Sequence, residues 1–122
     1  MNLIVAFAAA AIVLADAPPP QTRGCPVAGT YRVAGTNPGG TVYEGTATIE
    51  ARDGGCYVRW YPPNDSEGTG TYMYGRLKVQ YRFTASGEVG EVVYERQPDR
   101  SLKGTWGPNG EVGRGTETLT PN

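Results

Sequence analysis

Leu77-Lys78-Val79-Gln80-Tyr81-Arg82-Phe83 decides the fold. Large apolar side chains alternate strictly with long polar ones, the period of a β-strand with one buried and one solvated face. A helix would scatter the same residues around its circumference. Gly75-Arg76 turns the chain just before this run, and Thr69 to Tyr74 precedes the turn as another strand. Working outward, the same rhythm recurs in both directions. Upstream lie Thr30 to Thr36, Thr41 to Ala51 and Cys56 to Tyr61, parted by the turn signals Asn37-Pro38-Gly39-Gly40 and Asp53-Gly54-Gly55. Downstream lie Glu91 to Gln97, Ser101 to Trp106 and Arg114 to Thr120, parted by Pro98-Asp99-Arg100 and Pro108-Asn109-Gly110.

These segments make an all-β chain: an eight-stranded antiparallel up-and-down meander. The connections are too short for crossovers, so sequential strands pair antiparallel. Pro62 to Gly68 reads as the longest polar connection. Gly-Thr pairs recur inside strands at Gly45-Thr46, Gly70-Thr71, Gly104-Thr105 and Gly115-Thr116. Several inward aromatics share a face with such glycines, which lets a ring lie across bare backbone where a sheet curves. A meander of this kind closes most simply into a small barrel, which removes exposed edges. A two-sheet sandwich is the alternative.

Residues 1–15 read as a signal peptide. The apolar run from Leu3 to Ala15 is shorter than the roughly 20 residues a spanning helix needs. Cleavage is expected after Ala15, with Ala17 as the alternative, and no Lys or Arg precedes the run. Residues 16–28 follow as a Pro-rich tether that carries Cys25, and residues 29–121 as the barrel domain. About 105 residues then remain, enough for one domain. Two cysteines in an exported chain favour a Cys25–Cys56 disulfide. They precede the first and third strands, roughly 10 Å apart across the sheet. The segment before the first strand must therefore cross beneath the second.

Composition narrows the chemistry. With 11 basic and 12 acidic residues interspersed, no nucleic-acid footprint is expected, and Arg32, Arg59, Lys78 and Arg82 read as solvated strand positions. After loss of the leader no membrane span remains. There is no histidine, so no imidazole base can activate a Ser or Cys nucleophile. The cysteines lack nearby ligand partners, so no metal site and no cofactor are expected. Glu44, Glu50, Asp53, Asp65 and Glu67 fall at outward positions or in turns. Glu117 is the exception, because counting back from Leu119 places it on the inward face. There it is either a polar contact at a ligand site or a paired, hydrogen-bonded residue near a barrel mouth.

The aromatics Tyr31, Tyr43, Trp60, Tyr81, Phe83, Tyr94 and Trp106 either fill the interior or line a pocket in it. Trp60, Trp106, Tyr43, Tyr81 and Glu117 are thus the candidates for ligand or core. Tyr57, Arg59 and Tyr61, with Tyr72 or Tyr74, are the candidates for surface contact beside the Pro62 to Gly68 connection.

Gly29 to Gly40, then Tyr43-Glu44-Gly45-Thr46-Ala47 and Tyr57-Val58-Arg59-Trp60, then Leu102 to Trp106 and Gly113 to Pro121 stand in an order that resembles a family of small exported bacterial β-rich proteins. Members carry the label hypothetical or fibronectin-binding protein. The resemblance spans about residues 29–121 and implies an exported, non-enzymatic interaction module that contacts a host-matrix or envelope protein through its loops. A lipocalin- or avidin-like carrier of one small apolar ligand is the alternative, and an enzyme would need a cleft with two or more buried carboxylates.

Overall fold

A computed structural model of the protein describes residues 23–111 and 113–122. The apolar leader and Pro18 to Pro20 lie outside the described residues. The strands are β1 (Gly29–Thr36), β2 (Val42–Arg52), β3 (Gly55–Trp60), β4 (Ser66–Met73), β5 (Arg76–Phe83), β6 (Val89–Arg96), β7 (Leu102–Pro108) and β8 (Gly115–Pro121). Each pairs antiparallel with the next, and β8 pairs with β1 to close an eight-stranded barrel. Closure leaves no free sheet edge. No helix among the described residues is long and apolar enough to cross a membrane.

Side-chain alternation follows the sequence rhythm strand by strand. In β3, Cys56, Val58 and Trp60 are buried, and in β5 Leu77, Val79 and Tyr81 are buried. Two details differ from expectation. β4 begins at Ser66, not Thr69, so Ser66 and Gly68 are buried strand residues and the β3–β4 connection shrinks to residues 61–65. Tyr72 sits opposite Leu77 and packs on the core, so it is not a surface contact. Tyr74 is 94% exposed in the two-residue β4–β5 turn, at the barrel end away from residues 61–65.

The two ends of the barrel are unlike. Connections β1–β2 (37–41), β3–β4 (61–65), β5–β6 (84–88) and β7–β8 (109–114) gather at one end, here called the mouth. The opposite end carries the two-residue turns 53–54 and 74–75, the β6–β7 connection and the chain segment that leads into β1. Asp53 and Gly54, like Tyr74 and Gly75, all take positive φ, the conformation whose twist matches a tight hairpin.

That entering segment plugs the far end rather than trailing as a tether. Cys25 and Val27 are fully buried, Ala28 packs on the core, and Tyr31 donates a hydrogen bond to the Val27 carbonyl. Cys25 and Cys56 are disulfide-bonded with Cα atoms 5.2 Å apart. Gly24 passes so close to the Gly54 carbonyl that no side chain fits there. The segment thus crosses beneath β2 to reach β3, as the cysteine positions require, and the folded domain includes residues 24–28.

Glycines shape the barrel wall. Tyr43 faces Gly35, Tyr81 faces Gly90, Tyr94 faces Gly104 and Trp106 faces Gly115 across adjacent strands. In each pair the ring lies over the glycine. A Cβ on Gly104, for example, would sit 2.5 Å from the Val93 carbonyl oxygen and 2.7 Å from Tyr94 Cδ1. Gly104→Ala is therefore expected to destabilise the fold by about 2–3 kcal/mol through overpacking. Chemical denaturation measures it, and an unchanged midpoint would contradict the ring-over-glycine arrangement.

Candidate functional site

One row of residues running across five strands meets in the barrel interior. Register places Tyr94 (β6) opposite Gly104 (β7), Gly104 opposite Glu117 (β8), Glu117 opposite Gly35 (β1), and Gly35 opposite Tyr43 (β2). Each glycine leaves room for the neighbouring tyrosine to reach over it. Both hydroxyls meet Glu117 between them: Tyr43 donates to Oε1 at 2.6 Å, and Tyr94 donates to Oε2. The row exists only because β8 pairs with β1. Trp60 reaches the same carboxyl group across the interior from β3, donating Nε1–H to Glu117 Oε2 at 2.9 Å.

Glu117 is 7% exposed, so its carboxyl group has left water almost completely. A buried charge is normally met by an opposite charge. Here every hydrogen-bond partner is a neutral donor, and no basic side chain pairs with Glu117 among the described residues. Burial raises its pKa above the ordinary 4.5, while the bonds from Tyr43, Tyr94 and Trp60 work in the opposite direction. Tyr43 and Tyr94 are themselves pushed up, first by burial and then by the carboxylate beside them. Both phenols therefore keep the protons they donate.

A cavity of about 20 Å³ opens beside this cluster, lined by Tyr43, Trp60, Tyr81, Phe83, Trp106 and Glu117 together with Asn64, Ser66, Val92 and Tyr94. That is room for one water-sized group. Tyr81 stands at the centre of the aromatic wall, edge to face with Trp60, Phe83 and Trp106 at ring separations of 6.4, 5.3 and 5.9 Å. Two buried polar atoms of the lining residues, Tyr81 Oη and Trp106 Nε1, have no hydrogen-bond partner among the described residues. Trp60, Trp106, Tyr43, Tyr81 and Glu117 thus converge on one place.

Of the surface candidates, Arg59 and Tyr61 meet each other, while Tyr57 is engaged elsewhere. Tyr57 donates to Glu67 at 2.7 Å and lies beneath the Arg52 guanidinium, 3.8 Å from the ring centre. Arg59 pairs with Asp65 at 2.5 Å and donates to the Ser66 carbonyl at 3.1 Å, which ties β3 to the loop at 61–65. Tyr61, 41% exposed at the mouth, carries the Arg59 guanidinium over one face of its ring, 5.2 Å from the ring centre. Val42, 80% exposed, and Val89, 40% exposed, border the same end from β2 and β6.

No local pattern in the sequence joins Glu117 to Tyr43, Tyr94 and Trp60 as its hydrogen-bond donors, although the inward count finds Glu117 itself. Their signal was present: buried Tyr and Trp need a partner for their polar ends, and inward Gly35 and Gly104 clear the way to it. No protein-family model, no curated protein and no solved structure matches this chain.

Proposed function

We propose that this protein is an exported, non-enzymatic binding module that engages an extracellular or envelope protein through the loop-bearing mouth of its barrel. The observation that carries this reading is the inequality of the two ends. One is sealed by residues 24–28 and the disulfide. The other presents four loops of five or six residues, the apolar Val42, Tyr61 and Val89, and a polar-aromatic pocket between them. Loops displayed by a rigid scaffold are where binding residues concentrate.

Export is supported by the signal-peptide pattern of residues 1–15 and by the disulfide, which is compatible with an oxidising compartment. The absence of histidine from the sequence, and a buried carboxylate that is single among the described residues and held by aromatic donors, support a role without catalysis. A carrier of a whole small molecule would need a pocket of roughly 300–1,000 Å³, and the cavity here is about 20 Å³.

Fibronectin, the partner that the family resemblance implies, is the first to test. The mature chain is expected to bind immobilised fibronectin saturably. Val42→Asp or Tyr61→Ala should weaken binding at least tenfold, and Tyr74→Ala at the sealed end should not. Binding that survives both mouth variants but is lost with Tyr74→Ala would overturn the assignment of the mouth. No binding at all would remove fibronectin as the partner.

A further inference from the structure

We propose that the pocket beside Glu117 takes a small ammonium group, supplied either by a free alkylammonium ion or by a lysine-type side chain. The proposal rests on reading the mouth as the binding end and names the chemistry that end would recognise.

The pocket has the composition a cation needs. Glu117 lies in its lining without a basic partner, held in place by three neutral donors rather than neutralised. Hydrogen bonds from neutral donors lessen the cost of burying a carboxylate but leave its net charge in a low-dielectric interior. Around it stand Tyr43, Trp60, Tyr81, Phe83 and Trp106, whose ring faces are negative and attract ammonium groups.

The free polar positions fit as well. Tyr81 Oη, on a side chain more than nine-tenths buried, has no partner and can accept an N–H bond. Ser66 Oγ spends its proton on the Asn64 carbonyl at 2.8 Å and keeps its acceptor capacity. Size agrees too: about 20 Å³ admits one ammonium or methylammonium head and excludes a larger body, which would have to lie outside among the loops. The unpartnered Trp106 N–H taken alone would suit an anion, but Glu117 in the same lining repels one.

Trp60 and Trp106 are the only tryptophans in the chain and both line the pocket, so intrinsic fluorescence reports on it directly. The mature chain would be titrated with methylammonium chloride, and with ethanol, sodium acetate and sodium chloride at matched ionic strength. N-acetyl-lysine amide and its Nε-acetylated form would make a second pair. Saturable change with methylammonium or the lysine amide, and none with the neutral or anionic probes, is expected. Glu117→Gln should weaken the response at least tenfold and Tyr81→Phe about threefold, each in a protein whose near-ultraviolet circular dichroism is unchanged.

A response to the lysine amide alone assigns the group to a protein side chain, and one to methylammonium alone assigns it to a free amine. Ethanol or acetate acting as strongly as methylammonium, undiminished binding in both variants, or no response to either ammonium probe would overturn the proposal. Loss of fibronectin binding in the mouth variants, with no ammonium response, would sink this inference while leaving the proposed function standing. Glu117-dependent ammonium binding, with protein binding mapped to the sealed end, would do the reverse.

Discussion

Glu117→Ala is expected to cost the fold about 4 kcal/mol at neutral pH, because it strands three buried donors at once. Tyr43, Tyr94 and Trp60 each place a hydrogen on this one carboxyl group. They are fixed over Gly35 and Gly104, or across the interior, and cannot turn to water without unpacking the mouth. Glu117→Gln should behave quite differently. It keeps the shape and one acceptor, and the tyrosine hydroxyls can rotate to receive the new amide hydrogens, so stability should stay within about 1 kcal/mol of the wild type.

The amide also removes a pH dependence whose sign is fixed by the direction of the shift. Burial raises the Glu117 pKa in the folded state above its unfolded value near 4.5. Between those two values the folded protein holds the extra proton, so stability falls as pH rises through the window. The contribution is fully present below the unfolded value and lost above the folded one. Denaturation midpoints of wild type and Glu117→Gln, compared from below pH 4.5 upward, should therefore converge on the acid side and move in favour of the glutamine variant as pH rises. A wild-type advantage that grows with pH would contradict this.

Removing the disulfide is the second large effect. Cys25 and Cys56 close a loop of 31 residues, worth about 3–4 kcal/mol as a restraint on the unfolded chain. The native contacts add to this, since the link also holds Val27 and Ala28 against the far end of the core. The Cys25→Ser, Cys56→Ser double variant is expected to melt more than about 10 °C below the wild type. Chymotrypsin should also cut it near Tyr31 well below that temperature, because unseating the plug exposes that end of β1. Equal melting temperatures would mean that residues 24–28 do not seal the barrel.

Much of this architecture is legible in the residues because each strand obeys one rule at a time. Leu77 to Phe83 alternates without interruption, and every later inward assignment, Glu117 included, is a count by twos. The misreadings arise where local chemistry and tertiary position disagree. Ser66-Glu67-Gly68 is small and polar, so after Pro62, Pro63, Asn64 and Asp65 it reads as loop. In the barrel Gly68 is a strand residue because it lies between Val58 and Tyr81, where a side chain would collide with Val79. Residues 24–28 follow a run of prolines and read as tether, yet Cys25 and Val27 supply the far end of the core. Tyr72 and Tyr74 share a strand parity, but the chain turns between them, which leaves the first against Leu77 and the second in solvent.

The site is a harder reading than the fold. The residues that hydrogen-bond at Glu117 come from β2, β3, β6 and β8, the aromatic wall adds β5 and β7, and two of the three hydrogen bonds pass over glycines in β1 and β7. No segment taken alone carries it. The row Tyr94, Gly104, Glu117, Gly35, Tyr43 becomes visible only once β8 is laid against β1, and closure is a property of the whole sheet rather than of any strand.

The most direct test of this account is a carbon-13 NMR titration of the Glu117 side-chain carboxyl in the mature protein, with Glu117→Gln assigning the resonance and the titration repeated in saturating methylammonium. A midpoint above 4.5 is expected in the free protein and a lower one when the cation is present, because a bound ammonium favours the ionised carboxylate. A midpoint at the ordinary carboxylate value that methylammonium leaves unmoved would contradict both the buried, tyrosine-held carboxyl group and the cation site built on it.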